Sequence, residues 1–198
     1  MPFTKHSIEL FISAKITEIT ECRMADLYAE FPDARNWVSA FGLRVIFNNQ
    51  PPEKMRPLAL LFIRRVEMAL SEYSAAREQL RDLISGTPRW SPYYRALHHV
   101  EVSVALLYQA YDFSRKALGQ KYFETNDGSP LQRLNCIYNS SKHDPAIAED
   151  PLWLSNEGME TSKERLGFSE FEKLAREYAR LAECILTADS GRDSEPDA

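Results

Sequence analysis

Apolar residues recur every three or four positions along most of this chain, with charged or polar residues between them. This spacing is that of one face of an α-helix. Helices are predicted from about His6 to Glu30, from Pro57 to Ile84, from near Pro92 to Leu118, from Leu131 to about His143, and from Ser169 to about residue 187. Such helices bury their apolar faces against one another. The pattern therefore predicts an all-α fold, a bundle of four main helices plus the N-terminal one.

Residues that begin or end helices stand at the predicted boundaries. Pro32 ends the first helix, and Gly86 and Gly119 follow the second and third. Ser169 with Glu172 three residues later has the pattern of a capping box, in which both side chains accept hydrogen bonds from backbone N–H groups. The last helix is therefore predicted to begin at Ser169.

Two segments lack the helical spacing. Leu43 to Phe47 is rich in β-branched residues and fits either a short strand or part of a helix, which leaves the structure of residues 34–56 open. Leu152 to Thr161 fits two short strands joined by a turn at Asn156-Glu157-Gly158. A small β-hairpin is thus predicted before the last helix.

Glycine and cysteine positions exclude several kinds of site. The chain has 7 glycines, and no two of them are closer than nine residues. P-loops, dinucleotide fingerprints and nucleophile elbows need glycines two to five residues apart, so none of the three is expected. Cys22, Cys136 and Cys184 lie far apart without a second ligand nearby, so we expect neither a disulfide framework nor a zinc site. No metal and no cofactor is predicted.

Net charge limits the partners. The chain carries −5, of which residues 188–198 contribute −3 through four acidic residues and Arg192, leaving −2 for residues 1–187. The polar, acidic residues 188–198 are predicted to form a disordered tail on a single domain. A nearly neutral body is not expected to bind DNA, whereas binding to a short RNA stays open. Acidic residues near the N-terminus and the lack of long apolar runs favour a cytoplasmic protein without a signal peptide or membrane span.

The segment most suggestive of chemistry runs from Arg133 to Asp144. On a helical wheel, Asn135, Asn139, Lys142 and His143 share one stripe that borders the apolar face. Asparagine gains little on a purely solvated helix, so two of them in this stripe suggest a role at a groove or an interface. Imidazole has a pKa of about 6.5, which suits His143 to general acid/base catalysis.

The run Tyr138-Asn139-x-x-Lys142-His143, followed by the Trp153-Leu154-x-Asn156-x-Gly158 hairpin and a last helix, resembles the HEPN superfamily. The resemblance covers about residues 92–187. That family comprises four-helix domains, commonly dimeric, many of which are metal-independent RNases of toxin–antitoxin and phage-defence systems. Its motif is an Arg, usually followed by a polar residue, with a His four to six residues beyond the Arg. Asn139 and His143 match the motif, but Tyr138 stands in place of the Arg.

The resemblance implies a homodimer that cleaves or binds RNA. His143 would act as the general acid/base towards a 2′-hydroxyl nucleophile. Lys142 and Asn139 would hold the phosphate or orient the imidazole, and Asn135 would add a ligand-binding group. Arg133 is ten residues from His143 and turned away from the stripe, so it is not expected to replace the missing Arg.

Other interpretations stay open. The two asparagines can bond to loop backbone while Lys142 is solvated and His143 ends the helix, in which case the segment is structural. Alternatively, the chain is a non-catalytic protein-interaction module, such as an antitoxin-like or scaffolding partner, that uses the same stripe to bind another protein. A metal-dependent enzyme using His98, His99 and Glu101 ranks third. The aromatic residues near position 90 suit base stacking or cover the end of the bundle; they are Trp90, Tyr93 and Tyr94.

Overall fold

The structure is a computed structural model that describes residues 16–48, 51–85, 90–118, 123–124, 126–142 and 152–188. Six α-helices lie in these ranges: α1 Leu27–Glu30, α2 Trp37–Asn48, α3 Arg56–Ser85, α4 Trp90–Leu118, α5 Pro130–Lys142 and α6 Phe168–Thr187. Three short strands precede α6: β1 Trp153–Leu154, β2 Gly158–Glu160 and β3 Arg165–Gly167. The predicted all-α fold with a β-insertion before the last helix is confirmed.

Helices α3 to α6 form the bundle. α3 and α4 pack antiparallel, and Ser103 Oγ on α4 donates a 2.7 Å hydrogen bond to the carbonyl oxygen of Ala69 on α3. α6 packs on α3, where the rings of Tyr73 and Phe171 stack with centroids 5.1 Å apart. α5 packs against both α4 and α6. Helices α3 and α4 are long, but no helix in the described ranges is both long and apolar enough to cross a bilayer.

The predicted N-terminal helix is wrong from residue 16 onward. Residues 16–26, here called the strap, contain one 3-10 turn at Ile16–Glu18 and then chain without regular secondary structure, and α1 has only four residues. Ile16 and Ile19 are nevertheless both buried. The backbone N–H groups of Thr20 and Glu21 bond to the side chain of Asn156, and that of Ala25 bonds to Glu172 of α6, instead of closing helical turns.

Leu43 to Phe47, which by sequence fits either a short strand or part of a helix, lies in α2. Its apolar residues lie on both faces: Trp37 and Phe41 are buried, whereas Leu43, Ile46 and Phe47 are 55%, 73% and 77% exposed. A helix with exposed apolar residues shows no clean period of 3.6 in its sequence. For that reason the pattern alone did not distinguish the two structures.

The insertion before α6 is a three-stranded antiparallel sheet in the order β1-β2-β3. The predicted hairpin corresponds to β1 and β2, and the prediction missed β3. Gly158 lies opposite Gly167, and a Cβ at Gly158 would lie 2.2 Å from the carbonyl oxygen of Leu166. The close approach of β3 therefore requires glycine at position 158.

The capping box predicted at the start of the last helix is also wrong. α6 begins at Phe168, and the backbone N–H of Gly167 donates to Glu170 Oε2 at 3.1 Å. Ser169 is exposed in the first turn, while Glu172 is buried in the bundle. The carboxylate two residues earlier has the cap role that the pattern assigned to Glu172.

Several predictions fall outside the described residues. They are the helix before residue 16, the helix-ending roles of Gly86 and Gly119, the helix end at His143 to Pro145, and the tail from residue 189.

Candidate functional site

The predicted site lies at the C-terminal half of α5. Asn135 and Asn139 are one helical turn apart, and Lys142 is the last residue of the helix. The side chain of Lys142 and all of His143 lie outside the described residues. The structure therefore places two of the four predicted site side chains.

Asn135 and Asn139 bond to each other. Asn139 Nδ2 donates to Asn135 Oδ1 at 3.2 Å, Asn139 is exposed, and Asn135 is partly exposed. In the described part of the chain neither amide bonds to loop backbone. Asn135 Nδ2 and Asn139 Oδ1 are left without a protein partner there, so this pair offers one donor and one acceptor on the surface of α5.

The loop before α5 fixes the position of the helix. Ser129 Oγ accepts from the backbone N–H of Gln132 at 3.1 Å, as an N-cap side chain does, and Gln132 Oε1 accepts from the N–H of Gly128 at 2.7 Å. Gly128 has a φ of 68°, a left-handed conformation that glycine adopts without strain. Hydrogen bonds from Ser129 lower the pKa of Asp127 in the same loop.

Tyr138 occupies the place of the family's Arg and belongs to the packing of the bundle. Its ring stacks on Tyr108 of α4 with centroids 4.6 Å apart, beside the fully buried Leu134 and Ile137. The motif position thus holds a partly buried aromatic ring and no cation next to Asn139.

The side chain of Arg133, which the sequence predicted to turn away from the stripe of Asn135 and Asn139, is bonded at the other end of α5. Its guanidinium donates to the carbonyl oxygen of Gly128 at 2.6 Å and pairs with Glu170 of α6. Both partners belong to the ends of helices α5 and α6, so Arg133 ties the two helices together.

Cys136 is a poor nucleophile in this setting. The thiol is partly buried, and burial followed by the charge of Glu164 raises its pKa. Since the thiolate is the reactive form, a raised pKa lowers its fraction at neutral pH.

The histidines proposed for a metal site are arranged differently. His99 Nδ1 lies 2.6 Å from Glu72 Oε2 across the α3–α4 contact, while His98 is exposed. Burial raises the pKa of Glu101, which opposes the charged form that binds a metal. Across the residues that the structure describes, no three His, Cys, Asp or Glu side chains are grouped for a metal ion.

The aromatic cluster near position 90 is divided between the core and the surface. Tyr93 is 1% exposed, and its hydroxyl accepts from the backbone N–H of Leu154 at 3.1 Å, which anchors β1 on α4. Trp90 and Tyr94 are 40% and 47% exposed. Tyr93 therefore has a structural role, whereas Trp90 and Tyr94 are exposed near the start of α4.

A buried polar network surrounds Glu172 and was not predicted from the sequence. Glu172 Oε1 accepts from Tyr73 Oη at 2.6 Å and from the backbone N–H of Ala25 in the strap at 2.8 Å. Arg176 lies 3.7 Å from Glu172 Oε2 and forms two 2.7 Å hydrogen bonds with Glu30. The spacing of Phe168, Glu172 and Ala175 places Glu172 on the apolar face of α6, which was the available signal.

Comparisons of the chain with protein-family models, curated proteins and solved structures found no match. The family resemblance therefore depends on the motif residues in α5 and the hairpin themselves.

Proposed function

We propose that this chain is a HEPN-like helical protein that binds RNA at the C-terminal half of α5, with a homodimer as its working form. The observation that carries the proposal is the Asn135–Asn139 pair. Asn139 is exposed and Asn135 partly exposed, and their mutual hydrogen bond leaves one donor and one acceptor for a polar ligand.

Hydrogen bonding to the phosphate and sugar of RNA is the chemistry this face offers. The amide nitrogen of Asn135 donates to a phosphate oxygen, and the amide oxygen of Asn139 accepts from a 2′-hydroxyl. Lys142, whose place at the end of α5 is described, adds a positive charge in the proposal. Binding is expected to weaken with salt because cation–phosphate contacts release counterions.

Cleavage is the second part of the proposal, and we expect it to be slow. His143 removes the proton from the 2′-hydroxyl, the oxygen attacks phosphorus, and the 5′-oxygen leaves with a proton from the imidazolium of the partner copy. Tyr138 supplies no cation for the charge that develops on the phosphate. Losing one stabilising group of that kind costs about 10²- to 10³-fold in kcat.

The test measures binding and cleavage of a fluorescein-labelled single-stranded RNA in EDTA. Asn139→Ala is expected to weaken binding about fivefold, as for a hydrogen bond between neutral groups. Asn36→Ala is the matched control, because Asn36 is exposed in the 3-10 helix before α2. His143→Ala is expected to abolish cleavage without loss of helicity.

Two results would contradict the proposal. RNA binding that Asn139→Ala and Asn36→Ala leave equally strong would exclude the α5 face. Cleavage that survives His143→Ala would exclude the assigned general acid/base. Tyr138→Arg restores the Arg of the motif and is expected to raise the cleavage rate.

A second proposed function, a non-catalytic protein-interaction module, is favoured by α2. Leu43, Ile46 and Phe47 are all more than half exposed on one short helix. Exposed apolar patches commonly mark protein interfaces. This function predicts a stable complex that Phe47→Asp disrupts, together with no cleavage of RNA; a protein that elutes alone with every partner offered would contradict it.

A further inference from the structure

An exposed stripe of aromatic side chains runs along the first turns of α4. Trp90, Tyr94 and His98 follow one another at intervals of four residues, which places them on one face of the helix. Trp90 is 40% exposed, Tyr94 is 47% exposed, and His98 is exposed as well. Ala96 and Val100, on the other side of the helix, are buried in the bundle. Packing of the core therefore does not account for the rings of this aromatic stripe.

The spacing of the aromatic stripe suits flat rings that lie between its own rings. An interval of four residues advances about 6 Å along the axis of an α-helix. Bases in a nucleic acid strand are about 3.4 Å apart when stacked, so bases that alternate with aromatic side chains are about 7 Å apart. Side chains at this repeat can therefore each contact a base of an unpaired strand, and indole, phenol and imidazole rings all stack on bases.

The charge along the aromatic stripe favours an anionic partner. No Asp or Glu occurs between Asp82 and Glu101, although the whole chain carries −5. Arg95 is exposed beside Tyr94 and forms no ion pair with a described carboxylate. Glu101, at the far end of the stripe, interacts with His98 one turn away. The first turns of α4 therefore combine exposed aromatic rings with a positive charge that no described acidic residue neutralises.

This combination distinguishes the aromatic stripe from the exposed face of α2. The exposed side chains of α2 are purely apolar, as Ile46 and Phe47 are, and such a face suits burial against another protein. Aromatic rings beside a cation are instead the arrangement with which proteins hold single-stranded nucleic acid. Every base has a π face, so stacking of this kind is expected to tolerate any base sequence.

We propose that the aromatic stripe binds unpaired bases of single-stranded RNA, with Trp90 and Tyr94 stacked on bases and Arg95 in contact with a phosphate. The inference rests on the proposed function for the class of ligand, and it adds the base contacts that the amides of Asn135 and Asn139 are not assigned. The stripe lies on α4 and the amides lie on α5, so variants can remove the two sets of contacts separately.

Fluorescence anisotropy with a short fluorescein-labelled oligouridylate and an abasic strand of the same length tests the stacking. The wild-type protein is expected to bind the abasic strand at least about fivefold more weakly, and Tyr94→Ala to weaken oligouridylate binding by a similar factor. Tyr94→Phe keeps a ring and should stay within about twofold of the wild type. Met68→Ala is the control, because Met68 is 42% exposed on α3. Equal binding of the two strands, or a Tyr94→Ala effect no larger than that of Met68→Ala, would overturn the proposal and leave a protein as the partner of the stripe.

Salt dependence separates the charge from the rings. Arg95→Gln is expected to reduce the slope of log affinity against log salt concentration by about 0.7, whereas Tyr94→Ala and the exposed control Arg64→Gln should leave the slope unchanged. A slope that Arg95→Gln does not change would refute the phosphate contact. Far-UV circular dichroism checks that each variant folds.

Asn139→Ala distinguishes this inference from the proposed function. If Tyr94→Ala weakens oligouridylate binding and Asn139→Ala does not, the aromatic stripe holds and the α5 face fails as the RNA site. If only Asn139→Ala weakens binding, the α5 face holds and the aromatic stripe is excluded.

Discussion

Replacing Glu172 with Ala removes the acceptor of two buried donors. Tyr73 Oη and the backbone N–H of Ala25 both donate to Glu172 Oε1, at 2.6 and 2.8 Å. Glu172 is 6% exposed and Tyr73 is 1% exposed, so water cannot readily replace the lost oxygen. The change therefore tests whether this network holds the strap on α6.

The expected cost follows from the two stranded donors. Each buried donor without a partner costs about 1–3 kcal/mol, so Glu172→Ala is expected to lower the free energy of unfolding by about 4 kcal/mol. For a chain of this size, that corresponds to a fall in Tm of about 8–16 °C. Glu172→Gln keeps an acceptor oxygen of the same shape and is expected to cost about 1–2 kcal/mol.

Urea unfolding followed by far-UV circular dichroism at pH 7 measures these differences. Glu177→Ala is the matched control, because Glu177 is exposed on the same helix and its loss should change stability by less than about 0.5 kcal/mol. If Glu172→Ala costs no more than Glu177→Ala or Glu172→Gln, the stranded donors have found other partners and the reasoning is refuted.

Three further predictions concern the same fold. Burial raises the pKa values of Tyr73 and Tyr178 above 10, and the charges of Glu172 and Glu177 respectively raise them further. As the pH rises above 10, the unfolded chain therefore loses these protons before the folded chain does, and the free energy of unfolding should fall by about 1.4 kcal/mol per pH unit per tyrosine. Urea midpoints at pH 9, 10 and 11 will measure this fall. Asn156→Ala removes the side-chain oxygen that accepts from two strap N–H groups, at 3.0 and 3.3 Å, and should lower the free energy of unfolding by about 1–2 kcal/mol. Limited proteolysis within residues 16–26 should become faster, and an unchanged rate would contradict this role of Asn156. Gly158→Ala should lower the free energy of unfolding by more than about 2 kcal/mol because the new Cβ meets the neighbouring strand. Gly42→Ala places a Cβ in open space on a helix and should raise the free energy of unfolding by about 0.5–1 kcal/mol. Equal effects of the two changes would refute the packing argument.

The four main helices were predictable because their information is local. Each apolar stripe recurs along tens of residues, and prolines stand where helices begin, as Pro130 does at α5. The small sheet was partly predictable for the same reason, since its turn at Asn156-Glu157-Gly158 is a local signal. Strand β3 was not, because a three-residue strand has too few positions to show a period.

The features of the candidate site also divide into those that local sequence predicts and those that depend on packing. Helical spacing predicted that Asn135 and Asn139 share a face and that Arg133 points elsewhere, and both hold. That the two amides pair with each other, and that Tyr138 stacks on Tyr108, depends on which helix packs beside α5. The sequence of α5 does not contain that information.

What the sequence alone determined is where the four main helices lie and which of their faces are apolar, because both follow from contacts within a few residues. Only the tertiary structure decided that the strap is not helical, that Glu172 is buried in a polar network and that residues 37–48 form helix α2. Ala25 and Glu172 are 147 residues apart, and their hydrogen bond replaces both a helical turn and a predicted cap. A partner that distant outweighs local preference because a buried donor must find an acceptor wherever the fold supplies one.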